Sequence, residues 1–135
     1  MLRPALLAIA LIAVPGASVH AADVAPAAGS CGDQSKVPPA QRLSNTVHWT
    51  TASEHENFGY DVYRGVKEQG PFTKLTKQPM LGNGTTDETH EYKFVDDTID
   101  PCSEYWYYVE SISTDGTREK FTPVFRAPPK RVPAK

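Results

Sequence analysis

The sequence predicts an all-β sandwich, on three observations. After the N-terminus no stretch repeats apolar residues with the helical period; short runs instead alternate apolar and polar residues, the period of a strand with one buried face. Clusters of Gly, Pro, Asn, Asp and Ser separate those runs at fairly even spacing, the punctuation of a two-sheet protein. All 13 aromatic residues, two Trp, six Tyr and five Phe, fall between Trp49 and Phe125, so the core belongs to that part of the chain.

Taken in order, NTVHWTT sets Val47 and Trp49 on one face and His48 and Thr50 on the other. ASEHEN reads as a polar loop. In FGYDVYRG, Tyr60 and Val62 share a face opposite Asp61 and Tyr63. GPFTKLTK opens on a Gly-Pro turn and carries Phe72 and Leu75; LGNGTTDETH reads as a turn-rich loop. EYKFVDD alternates Tyr92 and Phe94 with Lys93. TIDPCS is a turn, EYWYYVESIST is the most β-prone run of the chain, and TDGTRE is a hairpin turn around Asp115-Gly116. KFTPVFRA closes the set, and Pro123, with no N–H to donate, suits an edge strand. About seven short strands without helices indicate a seven-stranded sandwich of immunoglobulin type, with a small barrel as the competing closure.

The flanks differ in composition. Residues 1–21 place Arg3 ahead of an apolar run from Ala5 to Val14 and end with Val19 and Ala21 at the −3 and −1 positions of a cleavage site, the layout of a secretory signal peptide. At about ten residues the run is too short to cross a bilayer of about 30 Å, which argues against an anchor helix. The expectation is a secreted or periplasmic protein with no membrane insertion after signal cleavage. Residues 22–42 are rich in Ala, Pro and Gly, and residues 128–135 combine Pro128, Pro129 and Pro133 with basic side chains. Such segments bury too little apolar surface to offset the entropy of ordering them. A flexible N-terminal arm and a C-terminal tail are therefore expected around a folded domain of residues 43–127.

Loss of Arg3 with the signal leaves 13 Lys and Arg against 16 Asp and Glu. That balance argues against nucleic acid and against an anionic membrane surface. Two cysteines remain, Cys31 and Cys102. In an exported chain an even pair reads as a disulfide, and closing so long a loop contributes about 4 kcal/mol by chain entropy. Lipidation of Cys31 is the alternative, for which AGSC lacks the usual leucine ahead of its small residues.

VHWTTASEHENFGYDVYRG, followed by YKFVDDTIDPCSEYWYYVES, resembles a fibronectin type III domain of the kind found in exported bacterial proteins. Trp49 matches the tryptophan of that family's second strand, and Gly59 to Arg64 match its third. Ile99 to Tyr105 match the segment entering the sixth strand. The resemblance implies that Tyr105 is the tyrosine-corner residue, its hydroxyl capping the turn ahead of it. Two departures stand out: Cys102 replaces a glycine, and the first strand, VPPAQRL, is weakly marked. The implied role is a binding or spacer module without catalytic residues; a fold does not by itself fix a function.

An inward Tyr105 takes Tyr107 and Val109 into the core with Trp49, Tyr60, Val62, Tyr92 and Phe94. Trp106, Tyr108 and Glu110 then stand on the outer face. The family order sets the third strand beside the sixth, which adds Tyr63 and Asp61, and it turns Val124 inward, so Phe121 and Phe125 face out. The expected binding face is Tyr63, Trp106, Tyr108, Phe121 and Phe125 with Asp61 and Glu110. Tyr and Trp offer broad contact area with a polar handle, as interface hot spots do. Aromatic cross-strand pairs also stabilise a sheet by about 0.2–1 kcal/mol with no ligand. The expected partner is a protein of the envelope or extracellular space. A glycan stacked on the same rings, with Asp61 and Glu110 accepting its hydroxyls, is the alternative.

Signals for chemistry are absent. His48, His55 and His90 have no metal-ligand spacing, and DETHE and FVDDTID lack the ladder of a calcium loop. Neither GxSxG nor a phosphate-cradling glycine loop occurs. No metal or cofactor is expected, and the chain does not read as an enzyme.

Overall fold

The computed structural model describes residues 29–133 and residue 135; the expected signal peptide and residues 22–28 of the arm lie outside the described residues. Two sheets pack face to face as an all-β sandwich. Strand β1, Asn45–Thr51, runs antiparallel to β5, His90–Asp96, and the two make the smaller sheet. The larger sheet centres on β2, Glu54–Gly65, paired with β6, Tyr105–Ser113. Around them lie β3, Phe72–Lys74, and β4, Met80–Thr86, both on β2, and β7, Arg118–Lys120, and β8, Phe125–Ala127, both on β6.

The described residues thus hold eight strands rather than about seven, and three stretches differ from expectation. KFTPVFRA divides at Pro123 because the ladder on β6 is interrupted there: Val109 donates its N–H to the Thr122 hydroxyl (2.9 Å) instead of to a backbone carbonyl. ASEHEN is largely strand. Its polar residues follow no alternation because β2 is bulged, with register shifts between Glu54 and Gly59 and Glu56 at φ +46°. LGNGTTDETH, expected as a loop, supplies most of β4. Its glycines serve the bulge: a Cβ on Gly82 would come within 2.4 Å of Asn57 Nδ2, and Gly84 takes φ +68°.

Val47, Trp49, Tyr60, Val62, Tyr92, Ile99, Tyr105, Tyr107 and Val109 form the core between the sheets, with Phe94 packed at its margin. Trp49 stacks on Tyr92 at 5.3 Å between ring centroids and meets Tyr60 edge-on at 5.4 Å. Fully burying side chains of this size stabilises by roughly 1.5–3 kcal/mol each. Buried polar groups clamp the sheets. Tyr107 donates its hydroxyl to Asp96 (2.7 Å) and accepts from Asn45 Nδ2 (2.9 Å), while Arg64 donates to the same carboxylate (2.8 Å). Tyr105 accepts the Asp100 N–H (2.8 Å), closing the turn ahead of β6.

Residues 29–42 are docked, although their composition suggests a free arm. Among the described residues no strand precedes β1; Pro38 and Pro39 set up a single 3-10 turn, Pro39–Gln41, in its place. Gln34, buried, does a strand's work with its side-chain amide, donating to Leu43 O and Ile99 O and accepting from Leu43 N. Cys31 and Cys102 are joined by a disulfide, their Cα atoms 5.3 Å apart. The Asp100 carboxylate accepts from the Ser30 hydroxyl and from the N–H groups of Cys31, Gly32 and Cys102. Burial works against this carboxylate's charge, and those donors outweigh it and hold the pKa below the usual range. The C-terminal segment joins the same turn, Lys130 and Arg131 donating to Pro101 O. Among the described residues no helix is long and apolar enough to cross a membrane.

Candidate functional site

Residues directly opposite each other on paired strands share a face of the sheet. Tyr63 is opposite Tyr108, Asp61 opposite Glu110, and Trp106 opposite Gly65 and Arg126. The outer face of the larger sheet therefore carries Tyr63, Trp106 and Tyr108, all half-buried, with Asp61 and Glu110 beside them. The Tyr63 and Tyr108 rings lie face to face, 4.8 Å apart and within 2° of parallel. Phe72 meets Tyr108 edge-on at 5.0 Å, and Lys120 Nζ sits 4.5 Å from the Tyr108 ring centre.

Three expected members of this face are placed differently. Phe125 is opposite Tyr107, whose ring is buried, so both point inward and their rings stack at 6.1 Å. The irregular Phe121–Val124 stretch breaks the alternation on which the outward assignment rests. Phe121 packs edge-on against buried Tyr60 at 5.4 Å, at the core-side rim. Asp61 lies on the expected face but is fully buried. It accepts from Thr76 Oγ1 (2.5 Å) and Arg118 (2.8 Å), with Lys74 Nζ at 3.9 Å. It has no free edge for a ligand hydroxyl. Glu110 is also engaged, by Arg118 (2.6 Å) and the Tyr63 hydroxyl (3.1 Å). Burial and the Glu110 charge push the Tyr63 phenol up to about 12.

Phe72, Arg118 and Lys120 complete the face and were not anticipated. Arg-Glu-Lys at 118–120 carries the signal, since alternation sends Arg118 and Lys120 to one side and Glu119 to the other. Phe72 depends on the β2–β3 pairing that sets it opposite Gly65.

A second polar concentration sits where β2 begins and β6 ends. The Glu54 side chain is buried, and its carboxylate accepts from the hydroxyls of Tyr92, Tyr60 and Thr51 and from Asn83 N–H. Burial opposes its ionisation; the Tyr92 hydroxyl and the Asn83 N–H prevail and hold its pKa below the usual range. Beside it opens a pocket of about 180 Å³ reaching Glu119 and Phe121. No family model, curated protein or solved structure matches the chain.

Proposed function

We propose that the chain is an exported, non-catalytic binding module of the fibronectin type III kind, and that it meets a protein partner through the outer face of its larger sheet. The antiparallel β2–β6 centre and the Tyr105 hydroxyl bonded to Asp100 N–H support the family reading. The disulfide supports export to an oxidising compartment.

One observation carries the binding role: Tyr63, Tyr108 and Phe72 form a half-exposed aromatic cluster whose rings are braced by one another and by the Asp61–Arg118–Glu110 charges. A pre-ordered aromatic surface loses little side-chain entropy on docking and suits a protein contact. The same geometry disfavours the glycan alternative. A sugar stacks on an open ring face, and Tyr108 has Tyr63 against one side and Lys120 over the ring. Of the carboxylates that would accept sugar hydroxyls, Asp61 is buried and bonded through both oxygens, and Glu110 Oε1 is taken by Arg118 and the Tyr63 hydroxyl.

A photo-crosslinking residue in place of Trp106, in the exported full-length chain, tests the reading in cells. The expected result is a discrete protein adduct that is missing when the probe replaces His48 on the smaller sheet. Equal adduct patterns from both positions, or none from position 106, would move the contact elsewhere.

A further inference from the structure

We propose that the partner segment docking on the outer face of the larger sheet is acidic, an extended stretch with one large apolar side chain between two carboxylates. The inference rests on the binding role proposed above for that face and adds the chemistry of its occupant. The chain as a whole is acidic, with 14 Lys and Arg against 16 Asp and Glu. This face reverses the balance. Register sets Lys74 opposite Tyr63, Lys120 opposite Glu110 and Arg126 opposite Trp106, and Arg118 reaches across to Asp61 and Glu110. These four cations meet three carboxylates, Asp61, Glu110 and, just ahead of β6, Glu104, each bonded to an arginine.

Depth separates the two signs. The Asp61 side chain is wholly buried and that of Glu110 is 18% exposed, whereas Lys74, Arg118 and Arg126 keep roughly half of theirs in solvent and Lys120 is exposed. A docking surface therefore meets the cations first. Their bonding capacity is not used up. Among the described residues Lys120 has no carboxylate within ion-pair distance; its ammonium lies over the Tyr108 ring. Arg126 engages Glu104 through Nε, and Arg118 engages both of its carboxylates through one terminal nitrogen. A guanidinium carries five N–H donors, so both keep donors for a further carboxylate. The spacing selects the pattern of the segment. Across the strand order β3-β2-β6-β7 the face reads Lys74, Tyr63, Tyr108, Lys120. With strands about 4.8 Å apart, each lysine-bearing strand lies about 7 Å from the midline of the stacked tyrosines. In an extended chain, residues two apart share a face and are separated by about 7 Å. An apolar side chain on the rings thus carries the carboxylates two positions to either side onto the cations. A polymer of charge alone would leave the half-buried Trp106 and Phe72 without an apolar match.

The test is a titration of the intact secreted chain, followed by backbone amide shifts, with three peptides: acetyl-Glu-Thr-Phe-Thr-Glu-amide, its uncharged twin with Gln for both Glu, and a third with Ala for Phe. The first should bind at least about fivefold tighter than its Gln twin in about 0.02 M salt, and the preference should shrink in about 0.5 M salt, where screening is stronger. Shifts should centre on Tyr63, Trp106 and Tyr108. Lys120→Gln and Arg126→Gln, both at exposed positions, should each weaken the acidic peptide about threefold. Lys93→Gln, which removes the same charge from exposed β5, should leave it unchanged. Equal affinity for the Glu and Gln peptides would overturn the proposal, and equal affinity for the Phe and Ala peptides would overturn it in favour of a polyanion held by charge alone. Crosslinking in cells separates this inference from the reading beneath it. Loss of the position 106 adduct when Lys120→Gln and Arg126→Gln are combined would support an acidic occupant. An adduct that persists unchanged in that variant would overturn the acidic occupant while leaving the binding face in place, and no adduct in the otherwise unaltered chain would remove both.

Discussion

Replacing Asp61 by asparagine removes one charge and almost no volume where β2, β3, β6 and β7 are tied together through polar atoms. The Asn Oδ1 still accepts from Thr76, but its Nδ2 faces Arg118, donor against donor. Removing one member of a buried ion pair costs about 3–5 kcal/mol when the other charge is stranded. Here it is not stranded. Arg118 has 43% and Lys74 45% of its side-chain surface exposed, and Arg118 keeps Glu110. Return of those cations to water lowers the expected cost to about 2 kcal/mol. The effect depends on pH in a fixed direction. Burial opposes ionisation of Asp61, but Thr76, Arg118 and Lys74 hold its pKa below the usual 3.8. A depressed pKa contributes stability that is present above the unfolded value and fades as pH falls through the folded one. Urea unfolding of wild type and Asp61→Asn should therefore differ by about 2 kcal/mol at neutral pH, with unchanged slope, and the difference should shrink as the pH falls below the usual carboxylate range. A neutral-pH difference under about 0.5 kcal/mol, or one that ignores pH, would refute the view that Asp61 is a buried anion held by cations.

Three further outcomes are expected. Trp49→Ala, removing the ring that packs on both Tyr60 and Tyr92, should cost about 3–5 kcal/mol in denaturant or abolish folding. Tyr108→Ala should cost about 2 kcal/mol, the sum of a stacked pair, an edge contact and an exposed cation–π contact. Crossing it with Tyr63→Ala in a double-mutant cycle should return a coupling of about 1 kcal/mol. In alkali, Tyr92 should ionise late, because burial and Glu54 push it up to about 12. A raised pKa contributes stability that is whole below the unfolded value near 10 and is lost as pH climbs toward 12, so unfolding and phenolate absorbance should rise together.

The sequence made the sandwich legible wherever an apolar residue stands at every second position. Trp49, Tyr60, Val62, Tyr105, Tyr107 and Val109 all lie on the face that alternation assigns them. It was silent where the backbone leaves the pleat. The bulge in β2 hides a strand among polar residues, and the glycines of β4 resemble a turn because they accommodate that bulge. The break at Pro123 shifts the count in the last run, which turns Phe125 inward and Phe121 to the rim. Asp61 shows a different limit. Alternation gives the face of a side chain but not its cover, and Arg118, from 57 residues further along the chain, supplies the cover. Gln34 and Asp100 were hidden for a similar reason, since their work is done by side-chain bonds to backbone, which leave no periodic trace.

The Asp100 clasp has a consequence for the order of events during maturation. Its carboxylate gathers the N–H groups of Cys31 and Cys102 through hydrogen bonds that need no sulfur chemistry. One thiol then meets the other at an effective concentration set by the folded turn rather than by diffusion of a loop spanning 71 residues. Oxidation would follow folding and lock a contact already made, instead of searching for it. Reduction would open the covalent link while the carboxylate still holds both segments, so the thiols would stay positioned to close again.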